Sequence, residues 1–315
     1  MSSHPYNKLR EWGVDVLCNL IKAALTVQPA RTKTEEPTSK SDNKSPQSYY
    51  LSSLQALSQI KYVDIRQKQI ECCLQLLQST SGESFTDGWP ILFAIIESAC
   101  GPQNENLIRC AFQCHHFVIS ELLAHIPPIY LNNCITTAVA FGSQLQELNV
   151  SLTAIGLIWN VADFLHTNQA KLQHSLNESI KSGMNTHTIK HPVCENLNPF
   201  QLLWISLYKH LSDLCTDARL SVRKSSGQTL FSTLSSHGLI LDANAWKAIF
   251  IYVLFPLIDS VQTLSSAASN ERIHSEASMM IHYSRNTAFK QWCETQVLLL
   301  NGLSRIICLK LDLFL

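Results

Sequence analysis

Cys110, Cys114, His115 and His116 form the densest cluster of chemistry-bearing side chains in this 315-residue sequence. Cysteines four apart share one helix face, as two metal ligands do, and thiolate with imidazole is a donor set that zinc prefers. A structural zinc needs four convergent ligands, however, and no second Cys/His pair lies at a usable spacing. Packed thiols in a seam between helices are the simpler reading, because free cysteine is among the most buried residue types. Cys72 and Cys73 point to different sides of one helix and cannot bridge each other comfortably. Twelve histidines and eleven cysteines allow many Cys/His dyads, yet nothing singles out a pair. Neither a nucleophile elbow nor a glycine-rich phosphate loop occurs. No catalytic, cofactor-binding or metal-binding residue is assigned, and the chain is expected not to be an enzyme.

Shorter motifs have equally plain explanations. Asn198-Pro199-Phe200 matches a tripeptide recognised by endocytic adaptor domains, but the same residues make a helix N-cap, a proline in the first turn and a buried aromatic. Asn149-Val150-Ser151 and Asn177-Glu178-Ser179 fit the glycosylation sequon by chance in a chain without secretory signals. Ser45-Pro46 suits a proline-directed kinase, as such pairs commonly do.

Helices must position all of these groups. Apolar positions fall three and four apart in segments near 6–26, 48–60, 63–78, 89–99, 105–125, 129–141, 145–166, 199–215, 218–236, 244–264 and 286–310. Trp89-Pro90 and Asn198-Pro199 mark starts, Asn244 and Asn286 offer N-caps, and Gly101, Gly142 and Gly238 mark stops. No strand pattern stands out. The expected fold is all-α, a HEAT/armadillo-type helical repeat solenoid of about eleven helices. Residues 1–315 read as a single HEAT-like solenoid segment with a disordered insertion over 28–48 and a polar insertion over 166–198, whose first half prolongs the preceding helix to Lys181. A third excursion, 265–285, is less polar.

Composition narrows the function classes. Lysine plus arginine and aspartate plus glutamate balance at 24 each, so no overall field draws the chain to nucleic acid or an anionic membrane. Apolar residues make up 46 %, enough for a large core. The N-terminus is polar, and the longest strongly apolar stretch, Ala248–Ile258, is short for a bilayer of about 30 Å and interrupted by Pro256. Cysteines within apolar helical runs fit a reducing compartment, so a soluble cytoplasmic protein is expected.

The phase of the pattern is the most informative feature. Ile65, Ile108, Val150 and Val222 align as β-branched anchors, with arginines Arg66, Arg109 and Arg223 following three of them. Nine positions later come Leu74, Phe117, Trp159 and Phe231, expected on the same core face and almost fully buried. The anchors are 43, 42 and 72 residues apart. Discounting an insertion of roughly 30 residues after His166, the period is about 42, that of HEAT and armadillo units. Asp217, six before Arg223, is expected to pair with a ladder of arginines in the seam between helices.

Several longer stretches resemble a known family. They are Ser3-His4-Pro5-Tyr6-Asn7-Lys8-Leu9-Arg10-Glu11-Trp12-Gly13, Glu147 through Leu157, Val222 through Thr233, His282 through Thr287, and Lys290-Gln291-Trp292. In this order they resemble the C-terminal half of the Mon-two family, large peripheral Golgi and endosome proteins related to the Sec-seven Arf exchange factors. The resemblance runs from about residue 3 to about 308. It implies a non-catalytic trafficking scaffold between trans-Golgi network and endosomes, with a Dopey-type protein, an Arf-like GTPase and a lipid flippase as partners, no cofactor, and membrane association that is indirect. Met1 is expected to be a gene-model or partial-transcript start, and Cys308–Leu315 to drift from the family pattern. A regulatory HEAT-repeat subunit of another assembly is the rival reading.

Overall fold

The computed structural model describes residues 4–27, 46–79, 85–102, 104–182, 184, 189–276 and 287–310, with side chains of 269–276 excluded. Every regular element among them is helical. The helices group into two compact units, 1–150 and 151–315. The division falls inside a helix, at none of the polar segments that interrupt the sequence pattern.

Among the described residues of the first unit, six α-helices lie in two rows. They are α1 (Asn7–Val27), α2 (Pro46–Ala56), α3 (Val63–Ser79), α4 (Trp89–Glu97), α5 (Glu105–Phe117) and α6 (Leu131–Ser143). Odd helices pack side by side, α1 on α3 and α3 on α5; even helices do the same, α2 on α4 and α4 on α6. This is the layout of stacked helical pairs, in which each pair buries an apolar face only against its neighbours. α1 and α3 run in the same direction: Arg10 meets Asp64 at 3.1 Å and Lys68 meets Asp15 at 2.7 Å, pairs 54 and 53 residues apart. Between the rows runs an aromatic ladder of Phe85, Trp89, Phe93, His115 and Phe141, with successive ring centroids 5.7–6.2 Å apart.

The second unit holds most of α7 (Leu148–Thr167), then α8 (Gln169–Lys181), α9 (Pro199–Leu214), α10 (Leu220–His237), α11 (Ala243–Ala248), α12 (Phe255–Glu276) and α13 (Ala288–Leu309). α9 packs on α10, α12 on α13, and α10 on α13. α10 and α13 are parallel, since Lys224 pairs with Glu294 at 2.6 Å and, one and two turns on, Gly227 abuts Leu298 and Phe231 covers Gly302. Arg223 reaches Thr295, 72 residues on, across the same pair of helices.

Local signals explain most ends. Asn198 Oδ1 accepts from Gln201 N and Gln201 Oε1 accepts from Asn198 N, a complete capping box that holds Pro199 in the first turn and buries Phe200. The adaptor-like tripeptide is thus a helix start. The two C-terminal caps differ from expectation. Asp242, not Asn244, caps α11, and Thr287, not Asn286, caps α13. In both cases the side chain placed to accept from the third helical N–H takes the role. Gly142 is not a stop but is buried in the last turn of α6.

Other expectations need correction. α7 ends at Thr167 and α8 begins after a turn at Asn168, so the helix does not run unbroken to Lys181. The 166–198 segment is no mere polar insertion, because Leu172 and Leu176, one turn apart, are buried and α8 packs on α9. Of the 28–48 segment, 28–45 lies outside the described residues and Pro46–Ser48 opens α2; of the 265–285 excursion, α12 covers 265–276 and the rest lies outside. Pro256 does not interrupt its helix. The chain passes from α11 through a π-helical turn, Ile249–Leu254, straight into α12, and the wider turn accommodates a residue without an N–H. Ala243–Ala268 is therefore long and apolar enough to cross a membrane by length and composition, as Leu148–Thr167 also is, with 44 % and 50 % of their apolar windows buried inside the protein.

Candidate interaction groove and polar seam

The Cys/His cluster separates once α5 forms. Cys114 is buried and its thiol donates to the carbonyl of Ile70 at 3.6 Å; burial pushes its pKa up to about 12. Cys110 is half-buried and His116 points outward, 3.4 Å from Ser120 Oγ. His115 is fully buried between Phe93 and Phe141, neither ring nitrogen has a partner, and desolvation lowers its pKa to about 3. Among the described residues no three His, Cys, Asp or Glu side chains converge as metal ligands do. Cys18 of α1 meets Cys72 of α3, and the hydrogen bond from that thiol lowers the pKa of Cys18.

The anchors Ile65, Ile108 and Val222 are fully buried, and Val150 is 8 % exposed. Their partners nine residues on behave differently. Leu74, Phe117 and Trp159 are only half-buried, which corrects the expectation of one shared core face. At 100° per residue, nine residues turn a helix by two and a half turns, onto its opposite side. The true companions lie seven and eleven on: Cys72 and Leu76 for Ile65, and Leu157 and Val161 for Val150, all buried. Phe231 is also buried, but by a different neighbour, the backbone of α13 at Gly302.

The arginines do not form one ladder. Arg66 donates to Gln69 Oε1 at 2.9 Å and Ser98 Oγ at 2.7 Å; Gln69 in turn donates to the Leu54 carbonyl and Ser58. That buried network ties α2, α3 and α4 together. Arg223 donates to the carbonyls of Asp217 and Ala218 at 2.8 and 2.9 Å and to Thr295 Oγ1 at 2.9 Å. The Asp217 carboxylate is taken instead by Arg219, two positions on, in a bidentate pair at 2.8 and 2.9 Å. Arg109 is exposed and pairs with Glu105 and Glu147 outside the seam. Arg10 was not singled out by spacing. It donates to the carbonyls of His4 and Pro5, pairs with Asp64, and lies 3.8 Å over the Tyr62 ring.

α7, α10 and α13 frame an open groove of about 1040 Å³. Trp159 of α7 forms one wall, Phe289, Val297 and Leu298 of α13 the other, and Phe231 with Ser232 of α10 lies along the floor. The groove is largely apolar although open to solvent, and Val297 is 58 % exposed within it. His237 meets the rings of Trp159, His166 and Trp204 in tilted contacts, with centroids 4.8–6.0 Å apart. No sequence spacing could have assembled this site, whose walls come from segments more than 50 residues apart.

Paired helices stacked in rows, with a polar seam and an open apolar groove, define an all-α helical-repeat protein. The chain belongs to the Mon-two (Mon2) family. The model of the C-terminal region of Mon2 protein matches residues 120–315, and that of the Mon2/Sec7/BIG1-like HDS region matches residues 37–116. A Drosophila melanogaster protein, Protein MON2 homolog, is 44 % identical over 311 residues, covering 98 % of this chain and 18 % of the relative. Its Homo sapiens counterpart is 40 % identical over 312 residues, covering 96 % and 18 %. Brefeldin A-inhibited guanine nucleotide-exchange protein 1 of Arabidopsis thaliana is 24 % identical over 214 residues, covering 63 % of this chain and 12 % of the relative. The chain therefore spans less than a fifth of the length of the Mon2 relatives it matches. No solved structure shows significant similarity to it.

Proposed function

We propose that this chain is a non-catalytic scaffold segment of a peripheral membrane-trafficking protein that acts between trans-Golgi network and endosomes. The observation that carries the proposal is family membership across nearly the whole chain, 98 % of it aligned at 44 % identity with a MON2 homologue. The open groove over α10 adds a surface suited to holding another protein. Arf-like GTPases enter as partners through the relatives named as guanine nucleotide-exchange proteins, and a Dopey-type protein and a lipid flippase through the family resemblance. The membrane is reached through these partners, and the chain resides on the cytoplasmic side.

The test combines three assays on the purified chain. Arf and Arf-like proteins loaded with fluorescent nucleotide should release it at their intrinsic rate. Flotation with anionic liposomes should leave the chain in the soluble fraction, and a purified Dopey-type protein should retain it. Stimulated nucleotide release, salt-resistant flotation without partners, or no retention by the Dopey-type protein overturns the scaffold reading.

A further inference from the structure

We propose that the groove framed by α7, α10 and α13 is a docking site for an acidic amphipathic helix of about four turns, supplied by a partner protein. The proposal rests on the scaffold reading and adds the chemistry of the occupant.

Charge defines that chemistry. Four charged side chains line the groove, and two of them, Lys224 and Glu294, neutralise each other at 2.6 Å. Lys290 and Arg305 remain, exposed and without an ion-pair partner among the described residues. The groove thus carries two uncompensated positive charges on a chain whose net charge is zero. The two cations stand at opposite ends of α13, fifteen residues and so about 22 Å apart at the helical rise. An occupant with acids near both ends and apolar residues between them satisfies both cations and covers the apolar walls.

Backbone chemistry selects a helix. An extended peptide needs a sheet edge to pair its N–H and C=O groups. All three elements that frame the groove are helices with internally satisfied backbones, so an extended strand would find no ladder. A helix brings its own hydrogen bonds and presents apolar positions every three and four residues. Ser232, Ser235 and Ser236 are small enough to let it settle over α10, while Trp159 and Val297 grip it from either side. Exposure of Val297 at 58 % places apolar surface where the occupant would cover it.

The test uses fluorescence anisotropy with the full 315-residue chain and a fluorescein-labelled 18-residue amphipathic probe bearing glutamates at both ends. A second probe carries lysines in place of those glutamates, and a third has a central proline. The acidic probe should bind, and the lysine and proline probes at least tenfold more weakly. Lys290→Glu with Arg305→Glu should invert the preference between acidic and lysine probes, and Ser232→Trp, at an exposed position, should abolish binding of either. Circular dichroism checks that each variant stays folded. Equal binding of the acidic and lysine probes, binding unaffected by Ser232→Trp, no binding of the acidic probe, or a chain that self-associates through this face overturns the proposal. Retention by the Dopey-type protein despite such a result would leave the scaffold reading standing and remove only the acidic helix.

Discussion

The guanidinium of Arg223 on α10 lies over the indole of Trp292 on α13, 3.9 Å from ring centre. Arg223 is 1 % exposed and also donates to two carbonyls before α10 and to Thr295 on α13. One side chain thus caps the loop into its own helix and fastens the next helix in the row. A planar fork over an aromatic face is specific to arginine. Arg223→Lys keeps the charge but loses the stacking and the forked donation, and should cost about 2–3 kcal/mol in chemical denaturation. Arg223→Ala should cost more, because it leaves the Asp217 and Ala218 carbonyls without this donor. Equal stability of Arg223→Lys and the parent chain would show that charge alone matters.

Gly302 sets how closely α13 approaches α10. A Cβ at this position would clash with the ring of Phe231, which is a rigid aromatic rather than the end of a flexible chain. Gly302→Ala removes a helix-weakening glycine, an intrinsic gain of about 1 kcal/mol, yet it forces the helices apart. Overpacking of this kind costs about 1–3 kcal/mol, so the variant should be less stable by thermal melting. Adding Phe231→Leu should recover part of the loss. A Gly302→Ala chain that melts higher than the parent would contradict the close contact.

Much of this arrangement was legible because helix periodicity and capping are local. Asn198, Pro199 and Gln201 specify the start of α9 within four residues, and the structure forms the box they allow. The repeat was legible from Ile65, Ile108 and Val150 because adjacent units have near-equal lengths. Arg10 escaped notice because Leu9 before it is not β-branched and is exposed, and because the 28–48 segment stretches the interval to the next unit. The choice of Arg219 over Arg223 by Asp217 depended on loop geometry between α9 and α10. The groove depended on topology, since its lining is brought together only when α7, α10 and α13 align.

Trp159 and Trp204 should separate surface from core. Trp204 is fully buried on α9, and Trp204→Ala should cost about 3–5 kcal/mol. Trp159 is half-buried at the groove wall, so Trp159→Ala should cost well under that while changing the groove. Urea titrations of the two variants side by side make the comparison. Equal losses would mean that Trp159 belongs to the core and the groove is closed in solution.

His115 makes the first unit sensitive to acid. Its folded pKa is lowered, to about 3, from an ordinary value near 6.5, because burial between Phe93 and Phe141 penalises the imidazolium. The unfolded chain therefore binds a proton that the folded chain refuses. Stability from this group is fully present above about pH 6.5 and is lost as pH falls toward 3, at about 1.4 kcal/mol per pH unit for one proton. His237 acts in the same direction, lowered by desolvation and then by His166. Phenylalanine at position 115 would keep the ring stack and remove two unpartnered nitrogens. Between pH 6 and 4.5, the parent chain should lose about 2 kcal/mol more than His115→Phe. Parallel pH profiles for the two proteins would mean that the imidazole is not held neutral in the fold.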